Sequence, residues 1–433
     1  MIDPITTTKI FSKLGNDSSL LPIMVKDAAH IAGMTTASYI TGKEVEGKDR
    51  FMDEFGSTAI WIGGIPFYKK VIDLTLYKLA KYSPDVDVRI LNDPNILKKA
   101  IKHAPTPEIQ ASIKKVAGNV QKAKGLNMAK FLLSTALTLI SYSALTTFRH
   151  QHTEKNIIKE IHQEAKEKKL KEEYFKGKMS PAFKSIKSNQ KGSNPSFGMN
   201  LSAMFNPVKN MMIVDAGITA SRLQESRNPQ DFMGYVIKEG SFWAFIYFAG
   251  KQIQELFEKK SEKQYNKSID LDIRALQSDE LKKGFKACTV NASVAEFKKL
   301  QKPEEIYEFL CTKSDNLIVK MAKKSEVIKL YQNTEKVDTQ HYIDLKEVKS
   351  ISEKLEKLYK QYSVSGEDLE AFLNKTVKLK RSSVMKNIGV CIGVLGLVVP
   401  GIILSMRFIN KDNKEFMVKK EIHEKLKQVN VVA

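Results

Sequence analysis

The sequence has little cysteine and tryptophan, and it lacks the short motifs that mark common enzyme sites. Its 433 residues include 3 cysteines and 2 tryptophans. The cysteine number is odd and no CxxC pair occurs, which argues against a disulfide framework and against a cysteine-based zinc site. No Walker loop, Rossmann glycine pattern, HExxH or GxSxG is present. The sequence therefore predicts a non-enzymatic protein without a cofactor.

Acidic residues are scarce relative to basic ones. Lys and Arg total 70 and Asp and Glu total 49, a formal net charge of +21. This excess favours anionic partners, either nucleic acid or the phosphate surface of a membrane. The N-terminal stretch MIDPITTTKIFSKLGNDSSLLP has no basic segment followed by an apolar core. We therefore expect no cleaved signal peptide.

Charge is missing from two long segments. Residues 387–406, NIGVCIGVLGLVVPGIILSM, lie between Lys386 and Arg407. Twenty helical residues span roughly 30 Å, the hydrocarbon thickness of a bilayer. Residues 131–148 are also uncharged and rich in Ser and Thr. Both segments are predicted to be transmembrane helices, with buried core helices as the alternative.

Two shorter apolar stretches are rich in aromatic residues. They lie within residues 55–80 and 235–257, and each has a Trp close to lysines. This composition is typical of the membrane interface. Two aromatic core helices are the alternative interpretation.

An unusual alternation occurs twice, as DVDVRIL at 85–91 and DLDIRAL at 270–276. Further matches follow in the same order on both sides, among them VKDAA (25–29) with VDAG (214–217) and EFGS (54–57) with EGS (239–241). We interpret the chain as an all-α, membrane-associated protein of two tandem parallel repeats. The predicted segments are an N-terminal tail (1–20), repeat 1 (21–170), a flexible basic linker (171–210), repeat 2 (211–430) and a helical insert within repeat 2 (290–375).

The repeat signature comprises six charged residues: Asp85, Asp87, Arg89, Asp270, Asp272 and Arg274. Strict alternation predicts a short extended segment with one buried face. The two segments could then pair as a minimal two-stranded ribbon. The alternative is that the paired acids hold a divalent metal beside a phosphate. A helix is expected to start after each segment, at Asp93-Pro94 and at Ser278.

Small residues recur along both long apolar segments. Glycine at a spacing of four lets another helix approach closely in lipid. The predicted packing faces are Gly389, Gly393 and Gly396 on one segment and Ser134, Thr138 and Ser141 on the other. The two segments could pack together, or either could contact a second copy of the chain.

Clusters of lysine lie close to the long apolar segments, as expected for contact with anionic lipid. The leading hypothesis is a structural or adaptor protein of the cytoplasmic membrane that binds anionic lipid and other membrane proteins. One alternative is a small transporter or pore, since internal repeats mark many transporter folds; Asp73 is then the acid to test. The other alternative is a soluble, basic helical protein that binds nucleic acid.

Overall fold

A computed structural model describes residues 4–15, 19–173, 206–224, 226, 229–332, 334–409 and 422. The predicted linker lies mostly outside the described residues, as does most of the segment after 409. The first half contains α1 (Pro4–Leu14), α2 (Leu21–Ile72), a π-helical turn (Asp73–Tyr77), α3 (Lys78–Ala80), a 3₁₀ turn (Val88–Asn92), α4 (Pro94–Lys102), α5 (Pro107–Gly118) and α6 (Val120–Glu173).

The second half begins with α7 (Pro207–Gln224), α8 (Pro229–Trp243), a π-helical turn (Ala244–Ala249) and α9 (Gly250–Tyr265). Shorter helices follow: α10 (Ile273–Leu276), α11 (Asp279–Lys286), α12 (Val290–Lys298), α13 (Pro303–Thr312) and α14 (Leu317–Lys324). The last elements are α15 (Leu345–Ser365), α16 (Leu369–Gly393), a π-helical turn (Val394–Val398) and α17 (Val399–Ile409).

The all-α prediction is confirmed, but the predicted ribbon is wrong. The described residues contain no strand, and their only β-bridge joins Leu330 to Val337. The two Asp-x-Asp segments instead form helical turns, because the second acid of each segment caps the next turn. Asp87 accepts from the backbone N–H of Arg89 at 2.9 Å, and Asp272 accepts from that of Arg274 at 2.8 Å. Such caps favour helix initiation over extended pairing.

The chain divides into two compact units, each of which draws on both predicted repeats. The first unit comprises Met1–Ile23, Pro66–Ser134 and Ile246–Cys391. The second unit comprises Met24–Ile65, Thr135–Phe245 and Ile392–Ala433.

The first unit contains an apolar core built by short amphipathic helices, α10 to α16, together with Ala100 of α4. Proline begins α13, as its first-turn position at Pro303 predicts. Along α15, Val348, Ile351, Leu355 and Leu358 recur at a helical spacing and are all buried, and Tyr362, the next residue at that spacing, is partly buried. The predicted helix starts at Asp93-Pro94 and Ser278 are also confirmed, with both polar side chains acting as caps.

Two helices are long and apolar enough to cross a membrane. One lies within Val120–Lys166 and the other is Leu369–Met406. Only 33% of the most apolar window of the first, and 28% of that of the second, is buried inside the protein. A core helix of a soluble protein would be mostly covered. Most of each apolar window is therefore only partly covered or exposed.

Glu308 of α13 joins α4 to the helical core of the first unit. It pairs with Lys102 at 2.7 Å and also with Lys99. Hydrogen bonds from Lys102 and then Lys99 lower the pKa of Glu308 from 4.5 to about 2. A lowered pKa stabilises the folded state above the ordinary carboxyl pKa, and this contribution is lost as pH falls through the folded-state value.

We therefore expect the first unit to lose stability between about pH 4.5 and pH 2, with part of that loss due to Glu308. Glu308→Gln should lower stability at neutral pH by less than about 1 kcal/mol, because the pair is partly solvated. It should also reduce the acid-dependent loss. Hydrogen exchange of the α4 and α13 amides as a function of pH is the measurement. An unaltered acid profile in the variant would contradict this role.

Candidate functional site

The second unit has its charged side chains inside and many of its large apolar side chains outside. Soluble proteins show the opposite arrangement, and charged residues are rarely buried in them unless paired. The exposed apolar residues include Met24, Tyr39, Ile40, Phe51, Phe55, Leu137, Ile140, Phe148, Phe232, Met233, Val236, Leu397, Val398, Ile402 and Met406. The buried charged residues include Lys26, Asp27, Asp49, Asp53, Glu54, Arg149, Asp215, Arg222, Lys238 and Glu239, and His30 is buried with them.

Arg222, on the last turn of α7, is the centre of this buried network. Its guanidinium donates to Glu239 at 2.6 Å and to Ser57 at 2.8 Å. It also donates from Nε to the Tyr142 hydroxyl at 3.1 Å. Its Nη2 lies 3.5 Å from Asp53 Oδ1. The planar fork of arginine is suited to holding several oxygens at once, so one side chain joins α2, α6, α7 and α8.

Lys238 is the second buried cation. Its ammonium nitrogen lies 2.9 Å from Glu54 Oε1 and 2.8 Å from Glu239 Oε1. Glu239 therefore forms ion pairs with both Lys238 and Arg222. Two carboxylates and two cations thus form a paired core that satisfies most of its own hydrogen-bonding capacity, as a buried charge cluster requires.

A third cation extends the network along α6. Arg149 Nη1 lies 2.8 Å from Asp53 Oδ2. One turn further on, the Thr153 hydroxyl donates to Asp49 at 2.6 Å. Arg149 immediately follows the apolar segment 131–148, so the end of that segment is attached to α2 by buried polar contacts.

A small cavity lies beside the paired core. Four carboxylates line it, Asp27, Glu54, Asp215 and Glu239, against two cations, Arg222 and Lys238. It offers about 10 Å³ to the centre of a water molecule, which is room for about one. The lining also includes His30, Thr58 and Trp61.

Two buried polar atoms at the cavity have no hydrogen-bond partner among the residues that the structure describes. They are Oδ2 of Asp215 and Nε2 of His30. The other ring nitrogen of His30, Nδ1, donates to the Leu395 carbonyl oxygen at 3.2 Å. Asp27 receives a hydrogen bond only 2.6 Å long from the Thr58 hydroxyl. Buried polar atoms without partners are rare, so these two distinguish the cavity from the paired core beside it.

The six repeat-signature residues all lie in the first unit, away from this cavity's lining. Arg89 and Arg274 each turn back onto the acid two residues earlier, with Nε 3.0 Å from Asp87 and 3.2 Å from Asp272. Asp85 is exposed. Asp270 is bound by Ser268 and Lys357. Burial acts to raise the pKa of Asp270, but the Ser268 hydroxyl and the Lys357 ammonium together hold it below its usual value.

Metal binding at these acids finds no support in the geometry. Within the part of the chain that the structure describes, no group of three or more His, Cys, Asp or Glu side chains is arranged to hold a metal ion. The capping and pairing contacts account for Asp87, Asp270 and Asp272. The sequence matches at the two signatures correspond to two copies of the same local cap.

The small residues of the two apolar segments have different environments. Ser134 and Thr138 are fully buried, whereas Ser141 is only partly covered. A β-carbon added at Gly396 would lie 3.1 Å from the Ala29 carbonyl oxygen of α2. A β-carbon added at Gly389 or Gly393 would have no neighbour within 4 Å among the described residues. Packing of these two glycines on a second copy stays a prediction.

Sequence reasoning missed the buried network, although part of it was in view. The matched segments VKDAA/VDAG and EFGS/EGS contain Asp27 and Asp215, and Glu54 and Glu239. Those four acids are the ones that line the cavity. The detectable signal was an acid at a corresponding place in both predicted repeats, beside apolar sequence. Asp73, the acid selected from the sequence, lies in the first unit and pairs with Lys130 at 2.5 Å.

Comparisons with protein-family models, with curated proteins and with solved structures found no match to this chain.

Proposed function

We propose that the chain is an integral, non-enzymatic protein of the cytoplasmic membrane. The inverted polarity of the second unit carries this proposal, because large apolar side chains face outward while eleven acidic or basic side chains among its described residues are buried. In lipid the outward apolar surface has a favourable environment, and charged groups turn inward and pair with one another. Two helices of sufficient length and hydropathy accompany this surface.

The role we propose is structural, with the chain acting as a membrane-attached adaptor. The first unit contains a conventional apolar core of short helices. Lysines on those helices, together with Lys386 at the edge of the apolar segment 387–406, supply cations for anionic lipid headgroups and acidic partners. The proposal needs no chemistry at the buried network, whose paired charges would specify how the helices pack.

A small carrier is the second candidate, and one observation favours it. Four buried carboxylates surround a cavity that also holds an unpartnered carboxylate oxygen. Ionisable groups inside membrane proteins commonly mark ion or proton pathways. A soluble protein that binds nucleic acid is disfavoured by the exposed apolar surface of both long helices.

Placing a charge on the exposed apolar surface tests the membrane proposal. Leu397 is 74% exposed, so in water Leu397→Arg should be nearly neutral. In a bilayer the same arginine should cost about 2.5–3.5 kcal/mol. We expect Leu397→Arg to reduce markedly the fraction of protein that resists alkaline carbonate washing of membranes and leaves only with detergent.

The matched control is Val364→Arg, at a position 76% exposed near the end of α15 in the first unit. It should leave the carbonate-resistant fraction unchanged. If wild-type protein is released by carbonate, or if both variants behave alike, the second unit is not embedded in lipid and the proposal is wrong.

A further inference from the structure

We propose that the cavity of the second unit is a proton-binding site, at which Asp27 and Asp215 hold protons at neutral pH. This goes beyond the proposed structural role, and it does not depend on the chain crossing a membrane.

The balance of charge around the cavity is the first argument. Four carboxylates and two cations line it. With all four carboxylates ionised, the lining would hold two negative charges in excess. Burying an unpaired charge costs several kcal/mol, and a carboxyl group avoids this cost by taking up a proton. Two protons would balance the lining.

The contacts identify which two carboxylates take the protons. Glu54 and Glu239 each lie within 2.9 Å of the Lys238 ammonium, and Glu239 also forms an ion pair with Arg222. Both are paired as anions. Asp27 is contacted instead by the neutral Thr58 hydroxyl. Oδ2 of Asp215 is buried and has no hydrogen-bond partner within the described part of the chain.

Other charged and titratable groups face Asp215 from each element around it. Arg222 lies on the same helix, α7. Asp27, His30 and Glu54 come from α2. Lys238 and Glu239 come from α8. His30 Nε2 is the second unpartnered atom, and it gives the cavity a neutral acceptor for a carboxyl proton or for one water molecule.

Tryptophan emission can report on this site, because both tryptophans of the chain lie at the cavity or next to the buried network. Trp61 lines the cavity. The indole N–H of Trp243 donates to Thr219 at 3.2 Å, and the Thr219 hydroxyl donates to Glu239 at 3.1 Å. Because the chain has no other tryptophan, its tryptophan emission reports on the surroundings of the buried network alone.

The experiment follows thermal unfolding of the full chain in neutral detergent by tryptophan emission, from about pH 6 to pH 8.5. A group that holds a proton in the folded state but not in the unfolded state stabilises the fold at low pH, and this stability is lost as pH rises. We expect the Tm of the wild type to fall over this range. The slope of stability against pH should correspond to about two protons released on unfolding.

The decisive variant is Asp27→Asn/Asp215→Asn, since asparagine has the shape of a protonated aspartate. We expect it to keep the Tm that the wild type has at low pH and to lose the pH dependence. The same change at the fully exposed Asp315, Asp315→Asn, should retain the wild-type slope. A double variant that keeps the slope, or that loses Tm at every pH, would overturn the proposal.

Replacing sodium by choline in the buffer separates a proton site from a sodium site. A proton site predicts the same Tm and emission in both salts. Dependence on sodium would show that a metal cation occupies the cavity and would overturn the proton assignment. Carbonate extraction is scored independently, so failure of the membrane proposal and failure of the proton site are distinguishable.

Discussion

Replacing Arg222 by methionine should lower the free energy of unfolding by about 3–5 kcal/mol. Arg222 donates to Glu239, Ser57 and Tyr142, all of which are buried or lie in buried surroundings. Methionine fills much of the same volume but leaves Glu239 with one cation instead of two. Unfolding of the purified chain in mixed detergent and denaturant, followed by tryptophan emission, measures the loss.

Two further variants test whether that loss of stability comes from the buried contacts of Arg222. Arg89→Met removes an arginine whose side chain is 33% exposed and paired with the nearby Asp87, so it should cost at most about 1 kcal/mol. Arg222→Met/Glu239→Gln should recover part of the stability lost in Arg222→Met, because it also removes the carboxylate charge. Equal losses for Arg222→Met and Arg89→Met would contradict a central role for Arg222.

Gly33→Val should destabilise the second unit by about 3 kcal/mol, through overpacking against backbone that cannot move aside. A β-carbon at Gly33 would overlap the Gly396 carbonyl oxygen and would lie 2.8 Å from Pro400 Cγ. Valine therefore forces α2 away from the chain around Gly396. The yield of monodisperse detergent-purified protein and its Tm are the measurements.

Gly63→Val is the matched control, because Gly63 lies in the same helix and a β-carbon there would meet nothing within 4 Å. Both changes replace glycine by the same β-branched residue in a helix, so intrinsic propensity cancels between them. A Tm for Gly33→Val equal to that of Gly63→Val would show that the close approach at Gly396 is unimportant.

The buried network of the second unit has two parts with different properties. The paired part, centred on Arg222 and Lys238, joins four helices through short contacts. The carboxylates Asp27 and Asp215 adjoin this part, and among the described residues neither has an ion pair with a cation. Protonation of Asp27 and Asp215 would change the charge next to the paired core but would not break its ion pairs. The paired core would hold the helices together, and the two aspartates would respond to pH.

Several features of this chain were determined by local sequence alone. Apolar spacing along residues 348–358 was sufficient to predict the buried face of α15. Pro303, Asp93 and Ser278 mark helix starts because proline and capping side chains act on their own backbone within one turn. The lengths of the uncharged segments indicated two helices able to cross a membrane. The alternation DVDVRIL predicted an extended segment, and this prediction was wrong. The cap formed by Asp87 favours a helical turn there over the extended backbone that a period of two indicates.

Only the tertiary structure decided which charged side chains lie close together. Asp27, Glu54, Asp215 and Glu239 are spread over more than 200 residues, yet they line one cavity with Arg222 and Lys238. Sequence reasoning could match the two pairs of acids but could not orient them, because a helix face is chosen by what packs on it. Likewise, Gly396 contacts α2 through an approach of backbone to backbone that no composition reveals. Buried ion pairs depend on distances of about 3 Å between distant segments, and such distances exist only once the helices have packed.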